Sequence, residues 1–399
     1  MTMILSGDSG VTFPAGGVGN TTGAVVGTTD TQTLTNKTLV APALGTPASG
    51  SLVNCVDVQY TGFKSRIING AMVIDQRNAG TSFTNSNASV YGVDRWVTYG
   101  ITNAVLTCQQ VTDAPSGFSN SFKLTVSTAT TANDGGVFPA QKIEASNCSD
   151  LMWGTSNAAT ITVSFWVKAS VTGTYNTSFI FFGPSSLYYV STFTVNSANT
   201  WEYKTITVTG PITGGAFSGA SNAVYLAWYT VTIGSTGNTT YATPNTWSSS
   251  SSPKSSGTVN IGSTLNATLQ VAGCQLEKGS TATSFDYRPY GTELQLCQRY
   301  YSQAVRGAYP GSFAAQAYSV AGITCSLQFP VTMRATPTLL VYYNGTVNAV
   351  GNINTAGSVS ITPGQTWWTA NGLLGQQPSG SPFTVGMSYG FDYTASAEL

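Results

Sequence analysis

The stretch from Leu269 to Tyr301, LQVAGCQLEKGSTATSFDYRPYGTELQLCQRYY, joins two regions of β-strand pattern in this chain. Its apolar first part predicts a strand over Leu269–Leu276, and Glu277–Gly279 predicts a turn. Pro289 ends regular structure and is followed by a short amphipathic segment. Three residues of that segment are spaced to share one helical face, namely Leu294, Cys297 and Tyr301.

The same stretch concentrates charge in a chain of which only 8% is charged. Such a cluster more often holds two structural units together than performs chemistry. We therefore predict a structural role at this joint for four of its charged residues: Glu277, Asp286, Arg288 and Arg299.

Composition narrows the class of protein. The chain has 399 residues and 41% of them are hydrophobic, which is enough for two or three domains with cores. With so few charged residues, the protein must depend on Ser, Thr, Asn, Gln and Gly for its solubility, as extracellular or virion-surface β proteins do. Lys plus Arg and Asp plus Glu number 15 each, so no global field attracts nucleic acid or an anionic membrane, and we expect neither partner.

The absence of histidine restricts the chemistry further. It removes Ser-His-Asp and Cys-His nucleophiles and histidine-ligated metals. The six cysteines form no CxxC pair, so we predict no metal site, no cofactor and no catalytic residues. The beginning of the sequence lacks a signal-peptide pattern and no run is long enough to span a membrane, so we expect folding in a reducing cytoplasm.

Residues 1–62 are Gly, Thr, Val and Ala with almost no aromatic side chains. A segment of this composition cannot bury enough surface to offset its chain entropy and depends on partners for order. We predict an extended N-terminal attachment arm or stalk.

Residues 63–292 show strands that alternate with a period of two, separated by Gly, Asn, Ser and Thr turns. Ile161, Val163, Phe165 and Val167 face one way against Thr162, Ser164, Trp166 and Lys168. This pattern predicts an all-β fold with a jelly-roll β-sandwich body. We interpret Met72–Ile74 as a strand, and four tryptophans as core residues: Trp153, Trp166, Trp201 and Trp228.

Residues 293–399 predict a small C-terminal β-sandwich that forms a tip. The alternating residues 323–331 and the run 339–343 indicate strands, and Met387–Tyr393 indicates a closing strand. Asn344-Gly345 is a strong signal for a two-residue hairpin turn.

Several motifs resemble proteins of tailed bacteriophages. The phrases SGVTFP (residues 9–14) and TDTQTLTNKTLVAP (residues 29–42) are similar to connector repeats of phage fibres, which wrap around one another as trimers. The motifs NGAMVIDQR, VDRW, DLMWGTSNAATITVSFWVKAS, TWEYKTITVTG and the opening stretch resemble, in that order, the receptor-binding jelly-roll domain of tail fibres. This resemblance implies a carbohydrate-binding-module-like sandwich and a homotrimer in the virion. It also implies attachment to a tail, baseplate or capsid protein through residues 1–62.

A glycan site needs aromatic faces that stack on sugar rings, with amides, acids and backbone groups that hold the hydroxyls. Trp367-Trp368 is the most suggestive pair, because adjacent strand residues point to opposite faces and cannot both enter one core. The candidate glycan-binding residues are Trp367, Trp368, Tyr342, Tyr343 and Trp247.

Two alternatives to adhesion remain open at this stage. A glycosidase needs two suitably spaced carboxylates, but Asp94 is adjacent to Arg95, and the isolated acids Asp150, Glu202 and Asp392 select no pair. A head-fibre or baseplate protein would use the same fold for structure alone. We expect a non-enzymatic virion fibre protein that is assembled in the host cytoplasm and binds host-surface polysaccharide reversibly, and we regard a tailspike hydrolase as less favoured.

Overall fold

The computed structural model divides the chain into two compact units, Met1–Cys55 and Val56–Leu399. In the first unit it describes only an antiparallel pair, β1 (Ile4–Ser6) and β2 (Gly10–Thr12). The rest of the predicted arm lies outside the described residues. In the second unit the structure describes residues 63–101, 103–131, 136–233, 242–249, 251, 254–304, 313–353, 358–360, 366–376 and 383–399.

The body of the second unit consists of strands that pair in antiparallel fashion. They are β3 (Phe83–Asn85), β4 (Ser89–Tyr91), β5 (Val97–Tyr99), β6 (Val105–Val111), β7 (Ser121–Thr128), β8 (Val137–Glu144), β9 (Ile161–Ala169), β10 (Gly173–Phe181), β11 (Leu187–Val195), β12 (Glu202–Val208), β13 (Val224–Tyr229) and β14 (Thr268–Lys278). A one-turn helix, α1 (Ala145–Cys148), and the 3-10 turns Ser149–Leu151 and Ile261–Ser263 connect them.

These strands form two six-stranded sheets. Sheet I has the order β11-β10-β13-β8-β5-β4, and sheet II has the order β12-β9-β14-β7-β6-β3. The alternating residues send one face of each sheet into a common core, where Trp228 packs against Trp96, Phe165 and Phe179. The predicted all-β jelly-roll class is therefore confirmed.

The C-terminal region begins with a helix and continues as a second sandwich with its own core. Its elements are α2 (Tyr290–Gln298), β15 (Tyr301–Ala304), β16 (Phe313–Ser319), β17 (Gly322–Gln328), β18 (Thr338–Tyr343), β19 (Thr346–Val347), β20 (Ala349–Asn352), β21 (Ser358–Ser360), β22 (Thr366–Thr369), β23 (Gly372–Gln376) and β24 (Ser388–Ser396). The beginning of β24 pairs with β16 and β20, and its end pairs with β15 and β18, so one strand belongs to both halves of the sandwich.

Several local predictions are confirmed and others are wrong. Asn344 and Gly345, with φ of 47° and 77°, form the tight turn between β18 and β19. Met72–Ile74 is not a strand, because Met72 has a φ of 58° and donates its N–H to the carbonyl of Asn69 in a turn. Tyr301 does not share a helical face with Cys297, since α2 ends at Gln298 and Tyr301 begins β15. The predicted division into 63–292 and 293–399 stays a prediction.

The two outer faces of the body differ in how they are covered. On sheet I, Tyr91 Oη and Lys142 Nζ donate to the main-chain oxygen of Leu399 at 2.6 and 2.8 Å. Asn176, on the same face, accepts hydrogen bonds from Ser255. On sheet II, residues 279–286 lie over the end that carries Thr162 and Gln275: Thr162 donates to the carbonyl of Gly279, and Gln275 accepts from the N–H of Asp286. The remaining outer face of sheet II carries partly exposed aromatic and polar side chains.

Candidate functional site

Two aromatic rings lie side by side on the outer face of sheet II. Trp166 in β9 and Tyr203 in β12 are direct cross-strand partners, with ring centroids 5.3 Å apart. They point outward because Phe165 and Val167, their neighbours in the alternation, enter the core. Tyr203 is 45% exposed. This pair presents an apolar surface to solvent.

A second aromatic ring and an ion pair extend this surface along the strands. Trp201, directly before β12, has Lys168 Nζ 5.6 Å from its ring centroid. The same ammonium group bonds Asp113 Oδ2 at 2.6 Å. The hydrogen bond from Lys168 is the main reason that the pKa of Asp113 lies below its usual range. Asp113 therefore remains an anion that fixes the position of Lys168.

Polar side chains continue the outer face across β14, β7 and β6. Gln270 in β14 is the cross-strand partner of both Lys168 and Lys123. Its amide donates to Asp113 at 3.1 Å and accepts from Ser121 Oγ at 3.0 Å. Lys123 is half-buried, so its stem lies along the sheet.

A cluster of aromatic rings stands beside Trp166. Phe118, Phe285 and Tyr287 have mutual ring-centroid distances of 4.8 to 5.5 Å. Phe118 packs on Gly273, which has a φ of 58° and follows Ala272, the cross-strand partner of Trp166. A Cβ at Gly273 would lie 2.6 Å from the Phe118 ring, so only glycine permits this approach. The cluster forms a wall at one side of the face.

Together these side chains make a shallow surface with an aromatic part and a polar part. We call it the outer-face site and define it as Lys123, Trp166, Lys168, Trp201, Tyr203 and Gln270. Such a combination suits an amphipathic ligand, since rings can stack on an apolar face while lysine ammonium groups bond hydroxyls. The hydrogen bonds within the site hold its polar groups in place before a ligand binds.

Trp247, one of the predicted glycan contacts, is half-buried within the body. Its ring lies 5.2 Å from the rings of Trp153 and Tyr189, and its Nε1–H donates to the carbonyl of Thr209 at 2.7 Å. Trp247 thus lies at the edge of the body core, and no described contact joins it to the other predicted glycan-binding residues.

The other predicted contacts belong to the C-terminal sandwich. Tyr343 is 4% exposed, whereas its neighbour Tyr342 is half-buried and its hydroxyl lies 3.2 Å from that of Thr394. Trp367 and Trp368 lie in β22, whose pairing with β23 shifts register between them. The side chains of both tryptophans lie outside the described residues. The predicted ligand role of these four residues stays a prediction.

Of the four charged residues predicted at the joint, the structure brings two together. Asp286 lies 3.6 Å from Arg288, which also lies 3.3 Å from Glu293 of α2 and donates to the carbonyl of Ile67 at 3.0 Å. These groups fasten the segment around residue 66 to the stretch that follows β14. The other two residues act elsewhere: Glu277 accepts from Gln275 and Thr283 in its own turn, and Arg299 donates to Glu144 of β8 at 2.9 Å.

A buried ion cluster between the body and the C-terminal sandwich was not predicted. Asp94 and Arg95, although adjacent in sequence, pair with other residues. Arg95 pairs with Glu398 and stacks 3.4 Å from the centroid of the Tyr300 ring. Arg77 bridges the cluster, at 2.9 Å from Glu398 and 3.5 Å from Asp94. We call Arg77, Asp94, Arg95 and Glu398 the Glu398 cluster.

Asp94, one of the two acids in this cluster, has an unusual pKa. Burial raises the pKa of Asp94 from its ordinary value of 3.8 to about 7, although Arg77 and hydrogen bonds from Gln76 act in the opposite direction. Asp94 is only 1% exposed, and its partner Arg77 is 3.5 Å away. Loss of hydration therefore outweighs the attraction between the two charges.

The isolated acids of the sequence analysis have partners in the structure. Asp150 pairs with Arg66 at 2.9 Å and with Lys278 at 3.4 Å. Partial burial opposes ionisation of Glu202, but hydrogen bonds from Lys204 and the backbone of Ser197 and Asn196 lower its pKa to about 2. Within the described residues no group of three or more metal-ligating side chains occurs.

The outer-face site was not predicted from the sequence, because the four tryptophans considered in the body, Trp153, Trp166, Trp201 and Trp228, were all assigned to the core. Trp153 and Trp228 are buried as predicted, but Trp166 and Trp201 are half-buried and face outward. The signal was present in the alternation, which placed Trp166 on the side of Lys168. A lysine on the same face as a tryptophan indicates a solvent-facing tryptophan.

Comparisons with known proteins do not assign the chain to a family. No family model matches the sequence, and a search of curated proteins finds no match. Among solved structures, the enzymatically active domain of tailspike protein 4 of bacteriophage CBA120 is 13% identical with a TM-score of 0.30, and covers 54% of this chain and 21% of its own. The present chain thus spans about a fifth of that tailspike structure.

Two further solved structures resemble the chain to a similar degree. A putative sugar binding protein from Bacteroides thetaiotaomicron is 10% identical with a TM-score of 0.31 and covers 54% of this chain and 100% of its own. The C-terminal family 22 carbohydrate binding module of Clostridium thermocellum Xyn10B is 14% identical with a TM-score of 0.29, and covers 49% of this chain and 97% of its own. At these scores the likenesses carry no argument about function. Among the described residues, no helix has the length and apolarity to cross a bilayer.

Proposed function

We propose that this protein binds a polysaccharide chain through the outer-face site of its jelly-roll body. The observation that supports this most directly is the pairing of Trp166 with Tyr203 on a solvent-facing strand surface, next to Lys168 and Gln270. Contiguous apolar surface bordered by polar residues is typical of ligand or partner sites on soluble proteins. Each ring offers a flat apolar surface of the kind that stacks on one face of a sugar ring.

The experiment compares matched variants on a panel of bacterial surface polysaccharides. Tyr203→Ala removes an exposed ring without opening the core, and Tyr342→Ala removes a half-buried ring in the C-terminal sandwich. We expect Tyr203→Ala and Trp166→Ala to weaken binding about 2- to 10-fold, as expected for an aromatic contact of about 0.5–1.5 kcal/mol. Tyr342→Ala should bind as the wild type does.

The same experiment also shows whether the glycan binds to the body or to the C-terminal sandwich. Thermal unfolding of each variant first shows that the fold is retained. Binding that survives Tyr203→Ala and Trp166→Ala but is lost in a Trp367→Ala, Trp368→Ala double variant would refute the outer-face site. It would place the glycan contact in β22, as the sequence analysis predicts.

We further propose that the chain is a structural fibre protein of a tailed-phage virion, attached through residues 1–62 and adhesive rather than catalytic. The support is the resemblance of the ordered sequence motifs together with the jelly-roll body. Weak single contacts to sugar become strong adhesion when a homotrimer presents several copies. Among the described hydrogen bonds and ion pairs of the outer-face site, the carboxylate is Asp113, which Lys168 binds, whereas a glycosidase needs two carboxylates at a set separation.

Three measurements separate this proposal from its alternatives. Light scattering should give the mass of a trimer, and a stable monomer would contradict it. Reducing sugar released from host polysaccharide, and lost on substitution of a carboxylate, would show a hydrolase. Labelled protein that fails to stain host cells, although the virion adsorbs normally, would favour a head-fibre or baseplate role.

A further inference from the structure

Lys123 differs from every other cation that the structure describes. Each other described lysine or arginine has a hydrogen bond or an ion pair, such as Lys168 with Asp113, Lys204 with Glu202 and Lys278 with Asp150. The ammonium group of Lys123 has none among the described residues. In a protein where charge is scarce and otherwise paired, this exception needs a reason.

The neighbours of Lys123 do not neutralise it. Its cross-strand partners are Gln109 on β6 and Gln270 on β14, both uncharged. Gln109 donates its amide to the carbonyl of Gly80 at 2.8 Å, and Gln270 is bound to Asp113 and Ser121. The amide groups beside Lys123 are therefore already engaged, and its positive charge stays uncompensated.

The outer-face site consequently has a local positive charge. Lys123 and Lys168, together with the Asp113 that pairs with Lys168, sum to one positive charge, whereas the protein has a formal net charge of zero. The strand of Lys123 is two positions from the strand of Trp166, with β14 between them, which is about 10 Å across the sheet. Stacking and charge contacts would thus fall at different points along one extended ligand.

We propose that the outer-face site takes an acidic polysaccharide and that Lys123 binds its anionic group, while Trp166 and Tyr203 stack on a neighbouring ring. This inference rests on the proposed glycan binding and adds the class of glycan. An anion on Lys123 would complete the pattern in which the described cations are paired. Carboxylate and phosphate substituents share this chemistry, so the test distinguishes them.

The experiment uses full-length protein and pairs of polymers that differ only in charge. The probes are polygalacturonate with its carboxyl-reduced form, hyaluronan with its carboxyl-reduced form, and a polysaccharide with phosphomonoester side groups with its dephosphorylated form. Wild-type protein should bind at least one acidic polymer about two- to fivefold more tightly than its neutral form at low salt, the range for an exposed ion pair. The preference should shrink at 0.5 M salt because screening shortens the reach of the charge.

Three variants assign the preference to Lys123. Lys123→Gln should bind the acidic and neutral forms equally, whereas Lys123→Arg keeps the charge and should keep the preference. Lys278→Gln removes one positive charge from an exposed site on the same sheet and serves as the control for net charge. It should keep the preference of the wild type.

Three outcomes overturn the inference. Wild-type protein that binds acidic and neutral forms equally, but loses both in Trp166→Ala, would leave glycan binding at this site intact and refute the role of Lys123. A preference that persists in Lys123→Gln, or falls equally in Lys278→Gln, would show that charge acts elsewhere. Absence of binding to every polymer would contradict the proposed function as well as the inference.

Discussion

The Glu398 cluster and the outer-face site hold charge in opposite ways. In the Glu398 cluster, Arg95 and Asp94 are each 1% exposed, and the partner of Arg95 comes from the far end of the described chain. On the outer face, Lys168 pairs with Asp113, whose side chain is 50% exposed. Buried ions lose hydration and depend on every partner, whereas exposed ions remain largely hydrated. We therefore expect substitutions to cost stability at the cluster and binding at the outer face.

The largest expected effect is on stability, from Arg95→Ala. This substitution leaves Glu398 without one of its two arginines and removes the ring contact of Arg95 with Tyr300. We expect the free energy of unfolding to fall by about 3–5 kcal/mol, as for other broken buried pairs. Urea unfolding measures it, and polysaccharide binding by the folded fraction should not change. A loss below 1 kcal/mol would remove the distinction between the two regions.

A second expected effect is a pH dependence of stability that originates at Asp94. Because burial raises its pKa to about 7, the folded state holds a proton between about pH 4 and 7 that the unfolded chain has released. The free energy of unfolding should therefore rise as the pH falls from 7 towards 4. For one proton the slope is at most about 1.4 kcal/mol per pH unit.

Asp94→Asn tests this effect, because the amide cannot titrate. Urea unfolding at several pH values should show that the stability of the wild type relative to Asp94→Asn increases as the pH is lowered from 7.5 to 5. Parallel pH profiles for the two proteins would show that Asp94 ionises normally. Binding by the folded protein should not follow this transition.

The smallest expected effect on stability comes from Lys168→Ala. The partly exposed pair with Asp113 contributes about 0.2–1 kcal/mol, and salt screens it further. Thermal unfolding at low and high salt measures this contribution. A loss comparable to that of Arg95→Ala would mean that the outer face is a structural element rather than an open surface.

Part of this architecture was predictable because its causes are local. The period-two alternation of residues 161–168 fixes which side of β9 enters the core, and Asn344-Gly345 fixes a hairpin turn. Helix α2 begins directly after Pro289, where the sequence indicated a break. Residues 72–74 were mistaken for a strand because an apolar run has the same composition whether it is extended or turns back, as it does at Asn69.

The candidate site was only partly predictable, because its members come from four strands and a loop. Trp166 and Lys168 are two residues apart, and their shared face followed from the alternation. Gln270 and Lys123 join them only through strand pairing between distant segments. Nothing in the sequence around Gly273 indicated that Phe118 packs against it.

The sequence by itself determined the all-β class, the strand periodicity, the scarcity of charge and the absence of histidine chemistry. Each of these depends on residue type and short-range spacing, which are written along the chain. The tertiary structure decided which charges pair, as when Arg95 bonds Glu398, about 300 residues away, rather than its neighbour Asp94. It also decided that Tyr203 is exposed on the sheet II face, while Leu399 covers part of the sheet I face. Ion pairing and coverage depend on the packing of distant segments, which local patterns do not encode.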